Sequence, residues 1–231
     1  MARVQPSGRS LAQLRGCAAS IAREGWPVIW TAAGVLGLVA AVGTAAGQPA
    51  AIVPLVVGLG LCLNFFRDPE RAPPPGEHLV LSPADGRVVA VVPEREERFL
   101  AAPATRISIF MSPLDVHVNR NPVSGIVERV QHSAGKFRAA FADKASLDNE
   151  RNALVLESRG RRYLMVQIAG AMARRIVCRL APGDPVRRGE RCGLIMFGSR
   201  VDLFVPADVR PVVQRGDRVR AGTSVVAEEP S

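Results

Sequence analysis

The sequence predicts a mainly β domain, folded as a barrel or sandwich and preceded by an N-terminal hydrophobic helical hairpin. From about residue 77, short β-branched runs alternate with Gly, Pro and Asp turns, which is typical of all-β domains. Before residue 67, two uncharged runs hold most of the apolar excess of a chain that is 48% hydrophobic. A proline-rich, helix-breaking linker at 67–76 separates the two parts.

The first arm of the predicted hairpin is the uncharged run 26–46, and Trp26 and Trp30 stand at its start. It is long enough to span a bilayer, for which about 20 apolar residues are needed, and interfacial Trp residues are common at such ends. The second arm, 51–66, is short for a full span at about 1.5 Å per residue. We therefore expect a membrane-associated hairpin over 26–66, with a thin or partly re-entrant second arm.

Arginines flank both outer ends of the hairpin: four precede it, and Arg67 and Arg71 follow it. The positive-inside tendency then places both ends in the cytoplasm. This predicts a basic cytoplasmic N-terminus at 1–25 and a cell-membrane protein whose β domain, at 77–231, lies on the cytoplasmic side. A cleaved signal peptide is the alternative, but the first run is too long, a second follows, and no clean small-residue cleavage site ends it.

The chain has 231 residues and a net charge of +9, which suits an anionic partner. Nucleic acid and an anionic membrane both qualify. The absence of a basic patch interleaved with aromatic residues, together with the apolar hairpin, predicts a membrane and no nucleic acid. The four cysteines form no CxxC pattern and the three histidines do not cluster. We expect neither a disulfide framework nor a metal site.

The predicted β domain covers 77–231. Its clearest strands are 87–92, 106–111, 116–118, 125–130, 153–157 and 163–168. The stretch 133–149 does not fit a strand pattern, and it predicts a loop or a short amphipathic helix. Phe137 and Phe141 lie in it and are candidates for contact with lipid.

Two internal repeats sharpen the fold prediction. Gly-Asp-x-Val-x-x-Gly occurs at 183–189 and again at 216–222, and Pro-x-x-Gly-x-Val occurs at 83–88 and at 122–127. Glycine supplies positive φ at tight turns, which explains its place in both patterns. These elements resemble those of biotinyl/lipoyl-type β-barrels.

Gly198-Ser199 is the candidate for chemistry. The hydroxyl of Ser199 can attack the preceding carbonyl, and Gly198 leaves that carbonyl unhindered. Loss of the Ser199 α-proton from the resulting ester expels 1–198 as a carboxylate and leaves dehydroalanine. Tautomerisation and hydrolysis convert this residue to a pyruvoyl group at the head of 199–231.

This chemistry needs a base near Ser199 and a group that orients the base. His117 is the best candidate base, since imidazole titrates near neutrality. It follows Ser-Pro-Leu-Asp-Val in a predicted strand bounded by turn residues. Asp85, in a Pro-Ala-Asp-Gly turn, is the candidate orienting group. Asp115 is a weaker competitor that fits a local turn role.

At this point a specific resemblance emerges. The motifs 82–88, 112–117, 149–152, 167–170 and 197–199 occur in the order found in phosphatidylserine decarboxylases, and the chain resembles the short, archaeal-type branch of that family. The resemblance implies an autocleavage triad of Asp85, His117 and Ser199, and a covalent pyruvoyl cofactor made from Ser199 without a metal. It also implies cleavage between Gly198 and Ser199. The resulting large and small chains would stay together as a heterodimer, with a higher homo-oligomer left open.

The resemblance further implies that the pyruvoyl ketone forms a Schiff base with the amine of phosphatidylserine and accepts electrons as CO₂ leaves, giving phosphatidylethanolamine. Candidate ligands for the substrate carboxylate or phosphate are Arg120, Arg151, Arg174 and Arg175. Many members of the family have a second histidine where this chain has Arg120. That departure leaves open which group donates the proton after decarboxylation, with His117 the obvious substitute.

Three other functions compete with this interpretation. A membrane-tethered biotinyl/lipoyl-like carrier needs a lysine between the repeats, where this chain has Phe-Gly-Ser-Arg. A pyruvoyl enzyme acting on a soluble amino acid explains neither the apolar hairpin nor the basic charge. A membrane serine hydrolase is weakened by the absence of Gly-x-Ser-x-Gly.

Overall fold

The computed structural model describes residues 20–135, 149–170, 175–196 and 199–230. The N-terminal 1–19, most of the stretch 133–149 with Phe137 and Phe141, and the candidate residues Arg174 and Gly198 lie outside the described residues.

The two apolar runs form two helices packed against each other. Helix α1 is Gly25–Ala45, a 3-10 turn follows at Pro49–Ala51, and α2 is Ile52–Phe65. Small residues allow the close approach, because a side chain at Gly43 would meet Ala51 and one at Gly58 would meet Leu36. Helix α1 is long and apolar enough to cross a membrane, whereas α2 is shorter.

The rest of the described chain is almost entirely strand. In chain order the strands are β1 (Ser20–Ile21), β2 (Arg67–Asp68), β3 (Leu79–Leu81), β4 (Gly86–Glu96), β5 (Ala102–Met111), β6 (Val118–Arg120), β7 (Gly125–Ser133), β8 (Arg151–Ser158), β9 (Arg161–Ala169), β10 (Arg175–Cys178), β11 (Pro185–Val186), β12 (Arg191–Met196), β13 (Ser199–Pro206), β14 (Arg210–Pro211), β15 (Arg218–Val219) and β16 (Val225–Glu228). The mainly β prediction with an apolar N-terminal helix is confirmed.

The main sheet has eight strands in the order β11-β7-β8-β9-β13-β5-β4-β15, and its neighbours are antiparallel. Two three-stranded sheets, β10-β12-β6 and β14-β16-β3, accompany it, and β1 pairs with β2. The expected strand 116–118 is displaced: β6 begins at Val118, so His117 immediately precedes a strand instead of lying within one. The reason is local, since Asp115 closes a turn by accepting the backbone N–H of Ser112 at 2.8 Å.

Strand alternation gives the main sheet two different apolar faces. One face packs with the smaller sheets in the main core, which includes Ile107, Leu154 and Leu203. The other face carries a smaller cluster that includes Val155, Leu164 and Phe204. A third cluster joins the hairpin to the β domain and contains Ile29, Phe65, Phe66, Val116, Val118 and Leu194.

The internal repeat predicted from sequence is a structural duplication. In the first unit β15 pairs with the start of β4, Val219 opposite Gly86. In the second unit β11 pairs with the start of β7, Val186 opposite Gly125. All four glycines that begin and end the 183–189 and 216–222 segments have positive φ, between 73° and 106°, which accounts for their identity.

Arginines from the β domain hold the proline-rich segment in place. Arg120 donates to the carbonyl of Pro69 and pairs with Asp68, while Arg188 donates to the carbonyl of Pro74. Arg191 pairs with Asp68 and Glu70. Residues 67–76 therefore form a segment bound along the β domain, called the strap below, and this strap fixes the end of α2 relative to the sheets.

Candidate active site

Ser199 is the first residue of β13, between β5 and β9 in the main sheet. It stands opposite Met111 and Ala169, and its side chain shares the inward side of the strand with Val201 and Leu203 of the main core. It is fully buried, and its hydroxyl contacts the sulfur of Met111 at 3.3 Å. A weak acceptor such as a thioether leaves this hydroxyl with little competition for its proton.

His117 is also fully buried, and one edge of its ring is fixed. Nδ1 lies 2.9 Å from the backbone carbonyl of Asp115, so Nδ1 carries the proton and Nε2 is the basic atom of the neutral ring. Nε2 has no hydrogen-bond partner among the described residues. The Phe65 ring lies against the imidazole, with centroids 4.0 Å apart.

Burial lowers the pKa of His117 from 6.5 to about 4. The main cause is desolvation, which penalises the imidazolium, and the charge of Arg67 acts in the same direction. The Asp115 carbonyl and carboxylate, and more weakly the charge of Asp85, act in the opposite direction. At neutral pH His117 is therefore a neutral base.

Asp85 lies in the turn before β4 and is mostly buried. Arg71 of the strap binds it with both terminal nitrogens, at 2.5 and 2.8 Å. Its Oδ1 also accepts the backbone N–H of Ala221 at 2.8 Å, and Arg71 donates to the carbonyl of Ala221. Asp85 therefore links the strap to the C-terminal segment.

Asn119 faces both the Pro83 carbonyl and the Met111 sulfur that contacts Ser199, but the three predicted residues do not form a hydrogen-bonded triad. Within the described residues Ser199, His117 and Asp85 do not hydrogen-bond one another. Strand β12 lies beside His117, because the Ile195 backbone N–H donates to the His117 carbonyl at 3.4 Å. Asp85 acts on His117 only through its charge.

A row of buried amides runs beneath this region. Asn152 donates to Gln167 at 3.0 Å, and Gln167 donates to Asn119 at 2.8 Å. The Asn119 amide nitrogen then faces the Pro83 carbonyl at 3.4 Å and the Met111 sulfur at 3.8 Å. The same sulfur contacts Ser199, so this row of amides ends at the residue that contacts the Ser199 hydroxyl.

The arginines proposed as substrate ligands lie in different places. Arg120, where a second histidine was expected, is buried and bound to Asp68 and to the carbonyls of Pro69 and Gly189. Its position is that of an anchor for the strap. Arg151 begins β8 and lines a cleft on the opposite face of the main sheet, and Arg175 is exposed at the start of β10.

Sequence reasoning missed several residues around the site: Phe65 against His117, Arg71 on Asp85, and the Asn119 and Gln167 amides. Gln167 lies in one of the quoted motifs and Arg71 was noted only as a flank of the hairpin. The contacts of Phe65 with His117, of Arg71 with Asp85 and of Gln167 with Asn119 join residues 14 to 52 positions apart, so only the motif itself could have indicated Gln167. In the described part of the chain no group of three or more His, Cys, Asp or Glu is arranged to hold a metal ion.

Comparison with known proteins identifies the family of the chain. The family profile described as phosphatidylserine decarboxylase matches residues 59–227. A phosphatidylserine decarboxylase proenzyme of Polynucleobacter asymbioticus is 44% identical over 91% of this chain and 95% of the relative. Proenzymes of the same description from Syntrophus aciditrophicus and Oleidesulfovibrio alaskensis are each 46% identical, over 88% and 92% of this chain and 95% and 97% of the relatives. The chain belongs to the phosphatidylserine decarboxylase family.

Proposed function

We propose that the chain is a pyruvoyl-dependent enzyme that decarboxylates phosphatidylserine to phosphatidylethanolamine, after cutting itself between Gly198 and Ser199. The observation that carries the proposal is a buried serine hydroxyl in an uncharged setting, in the same region as a neutral histidine whose Nε2 is unpartnered among the described residues. A base of this kind can take a proton without first losing one. The matched family and the names of the relatives agree with it.

The self-cleavage begins at Ser199. Its oxygen forms a bond to the Gly198 carbonyl carbon, the Gly198–Ser199 C–N bond breaks, and the proton from oxygen ends on the released amine. Removal of the Ser199 α-proton then breaks the Cβ–O bond, so residues 1–198 leave as a carboxylate. One water hydrolyses the remaining enamine to a ketone and releases ammonia, which leaves a pyruvoyl group on the 199–231 chain.

His117 is the proposed base for these proton transfers, through Nε2. Because the Asp115 carbonyl holds Nδ1–H, the ring keeps one tautomer and presents Nε2 throughout. Asp85 is the proposed acidic partner, and its charge favours the imidazolium that forms when His117 accepts a proton. General base catalysis of this type contributes about 10²- to 10⁴-fold.

The described residues fit a small uncharged ketone at position 199. The Ser199 hydroxyl contacts the Met111 sulfur, which the Asn119 amide also faces, and among the described residues neither a carboxylate nor an ammonium hydrogen-bonds the hydroxyl. When formed, the pyruvoyl group supplies an electron sink for loss of CO₂ from an amino acid bound to it. His117 is the proposed donor of the proton that replaces CO₂, because Arg120, at the position of the expected second histidine, is bound to the strap.

The proposed product is a heterodimer of the large and small chains. After cleavage β13 would remain inserted between β5 and β9 of the large chain, with Ser199 to Pro206 paired on β5. Asp85 would still accept the N–H of Ala221, and buried Tyr163 would still donate to Glu229 at 2.7 Å. These contacts support retention of the small chain without a covalent bond.

The apolar hairpin supports a location at the cell membrane, with the β domain on the cytoplasmic side. Exposed apolar side chains along α1 and α2, among them Leu38, Val42 and Val56, are suited to lipid. The duplicated Gly-Asp-x-Val turns support a biotinyl/lipoyl-like arrangement of the β domain. A carrier function is disfavoured because the interval between the two turns holds no lysine.

The test is the intact mass of the purified chain together with CO₂ release from phosphatidylserine vesicles. Wild type is expected as two fragments that meet between 198 and 199, the smaller with a ketone in place of its amine. Ser199→Ala should stay in one piece and release no CO₂, whereas Ser108→Ala, a buried serine of β5, should still be cut. An uncut wild-type chain would refute the proposal, and equal CO₂ release from free serine would favour a soluble amino acid as substrate.

His117→Gln is expected to slow self-cleavage by about 10²-fold or more if His117 is the base. The rate is measured as conversion of newly translated full-length chain to fragments in the presence of lipid vesicles. Cleavage at the wild-type rate would remove His117 from the mechanism.

A further inference from the structure

The last residue of helix α2 contacts His117, the proposed general base, directly. Phe65 is the last residue of α2, and its ring packs on the His117 imidazole with an interplanar angle of 31° and centroids 4.0 Å apart. Both side chains are buried. A helix with an exposed apolar surface therefore ends on a residue of the candidate site.

A second contact joins the same two parts of the chain. Arg67, just beyond α2, donates to the carbonyl of Asn64 at 2.5 Å and to the carbonyl of Leu114 at 2.7 Å. Leu114 belongs to the turn that leads to His117. The end of α2 thus holds both the His117 ring and the turn that carries it.

We propose that Phe65 is a positioning residue for His117, so that the hairpin forms one wall of the active site as well as contacting the membrane. This inference rests on the proposed role of His117 as the base. It extends that role by assigning the orientation and the dry surroundings of the ring to the end of α2.

The physical argument has two parts. A ring held on one face by Phe65 and at Nδ1 by the Asp115 carbonyl has little freedom to rotate, so Nε2 keeps one direction. The same contact excludes water, and burial is the main reason that the pKa of His117 falls to about 4. The charged groups that act on the ring are Asp115, Arg67 and Asp85, and they would stay in a Phe65 variant.

The prediction concerns the pH dependence of self-cleavage. In wild type the ring is neutral at pH 5.5 and at pH 7.5, so the two rates should be nearly equal. Phe65→Ala admits water, and if the pKa returns to about 6.5 only about a tenth of the rings are neutral at pH 5.5. The ratio of the rate at pH 5.5 to that at pH 7.5 should then fall about tenfold.

Phe66→Leu is the matched control. Phe66 is equally buried and lies in the same cluster, but its ring packs on Phe65 and against Gly25 instead of on His117. Its rate ratio should stay near that of wild type. Phe65→Leu, which restores apolar volume without a flat ring, should give an intermediate ratio.

The rates are first-order rate constants for conversion of full-length chain to fragments in vesicles of phosphatidylserine and phosphatidylcholine. Misfolded chains lower the fraction of chain that is converted but leave the rate constant of the folded chains unchanged. The inference is overturned if Phe65→Ala has the wild-type ratio, or if Phe66→Leu loses as much as Phe65→Ala. If Phe65→Ala is uncut at both pH values, Phe65→Leu decides: a ratio below that of Phe66→Leu supports the inference and an equal ratio overturns it. His117→Gln tests the underlying role separately, because its cleavage at the wild-type rate would refute the base itself.

Discussion

The two duplicated units, one containing β15 and β4 and the other β11 and β7, hold equivalent turns with different side chains. In the second unit the hydroxyl of Ser124 accepts the backbone N–H of Arg188 at 3.1 Å. In the first unit the carboxylate of Asp85, at the equivalent position, accepts the N–H of Ala221 at 2.8 Å. A neutral hydroxyl is therefore sufficient for the turn, and the negative charge of Asp85 needs another explanation.

The surroundings of the two units supply that explanation. The Asp85 charge is compensated by Arg71 and acts on His117, whereas the uncharged Ser124 hydroxyl accepts the backbone N–H of Arg188. Burying a carboxylate costs free energy unless it is paired, so a fold that needed only a turn would gain nothing from one. The first unit combines a structural turn with an electrostatic role, and the second unit shows what the structural part alone requires.

The largest expected effect comes from removing the partner of the charge. Arg71→Met leaves Asp85 without its cation, and because both side chains are about 11% exposed, the loss should be about 3 kcal/mol in the free energy of unfolding. The measurement is urea unfolding of the detergent-solubilised chain in an uncut Ser199→Ala background. The double variant Arg71→Met with Asp85→Ser should recover part of the loss, and no recovery would show that Arg71 stabilises the fold independently of Asp85.

The next effect separates the charge of Asp85 from its turn bond. Asp85→Ser imports the residue of the second unit, so the bond to Ala221 is retained while the charge is lost. Without that charge the imidazolium of His117 is less stable, so self-cleavage should be slower than in wild type. Conversion of full-length chain to fragments at pH 7.5 measures it.

Ser124→Ala is the control for this change, since it removes the equivalent turn bond from the second unit. It should cost about 1 kcal/mol of stability and leave the cleavage rate unchanged. If Asp85→Ser is cut as fast as wild type, the carboxylate serves only the strap and the turn.

The smallest effect tests the final glycines of the two units. Gly222 and Gly189 both have positive φ, but a β-carbon on Gly222 would lie 2.7 Å from the Arg120 side chain, whereas one on Gly189 would lie 3.3 Å from Pro73. Gly189→Ala should cost about 1 to 2 kcal/mol from backbone strain, and Gly222→Ala about 1 kcal/mol more. Urea unfolding of both variants gives the difference, and equal losses would mean that Arg120 moves aside freely.

Local patterns predicted the helices and the turns well. The uncharged runs 26–46 and 51–66 correspond to α1 and α2 within one residue at each end, because apolarity over that length has few alternatives. The repeated Gly-Asp-x-Val pattern predicted two equivalent turns, since positive φ strongly selects glycine. The prediction of a strand at 116–118 was wrong about its start. The hydrogen bond from the Ser112 backbone N–H to the Asp115 carboxylate extends the turn, so the strand begins only at Val118.

The candidate site was predictable only in its members. Ser199, His117 and Asp85 lie in recognisable motifs, and their roles as cleavage site, base and acidic partner stay predictions. Their contacts were not predictable. The partner of Asp85 is Arg71 and not His117, and Arg120, at the position of the expected second histidine, is bound to the strap. Packing on Phe65 depends on how the hairpin meets the β domain, which no local pattern encodes.

By itself the sequence determined the kinds of structure and chemistry present: an apolar hairpin, a repeated glycine turn in a β domain, a serine after glycine, and a histidine and an aspartate in recognisable motifs. These follow from side-chain polarity and backbone preference, which act over a few residues. The tertiary structure alone decided which groups touch: it packed His117 against Phe65, paired Asp85 with Arg71, and brought both the Ser199 hydroxyl and the Asn119 amide to the Met111 sulfur. Burial and pairing set the proton affinity of these groups, and both depend on residues far apart in the chain.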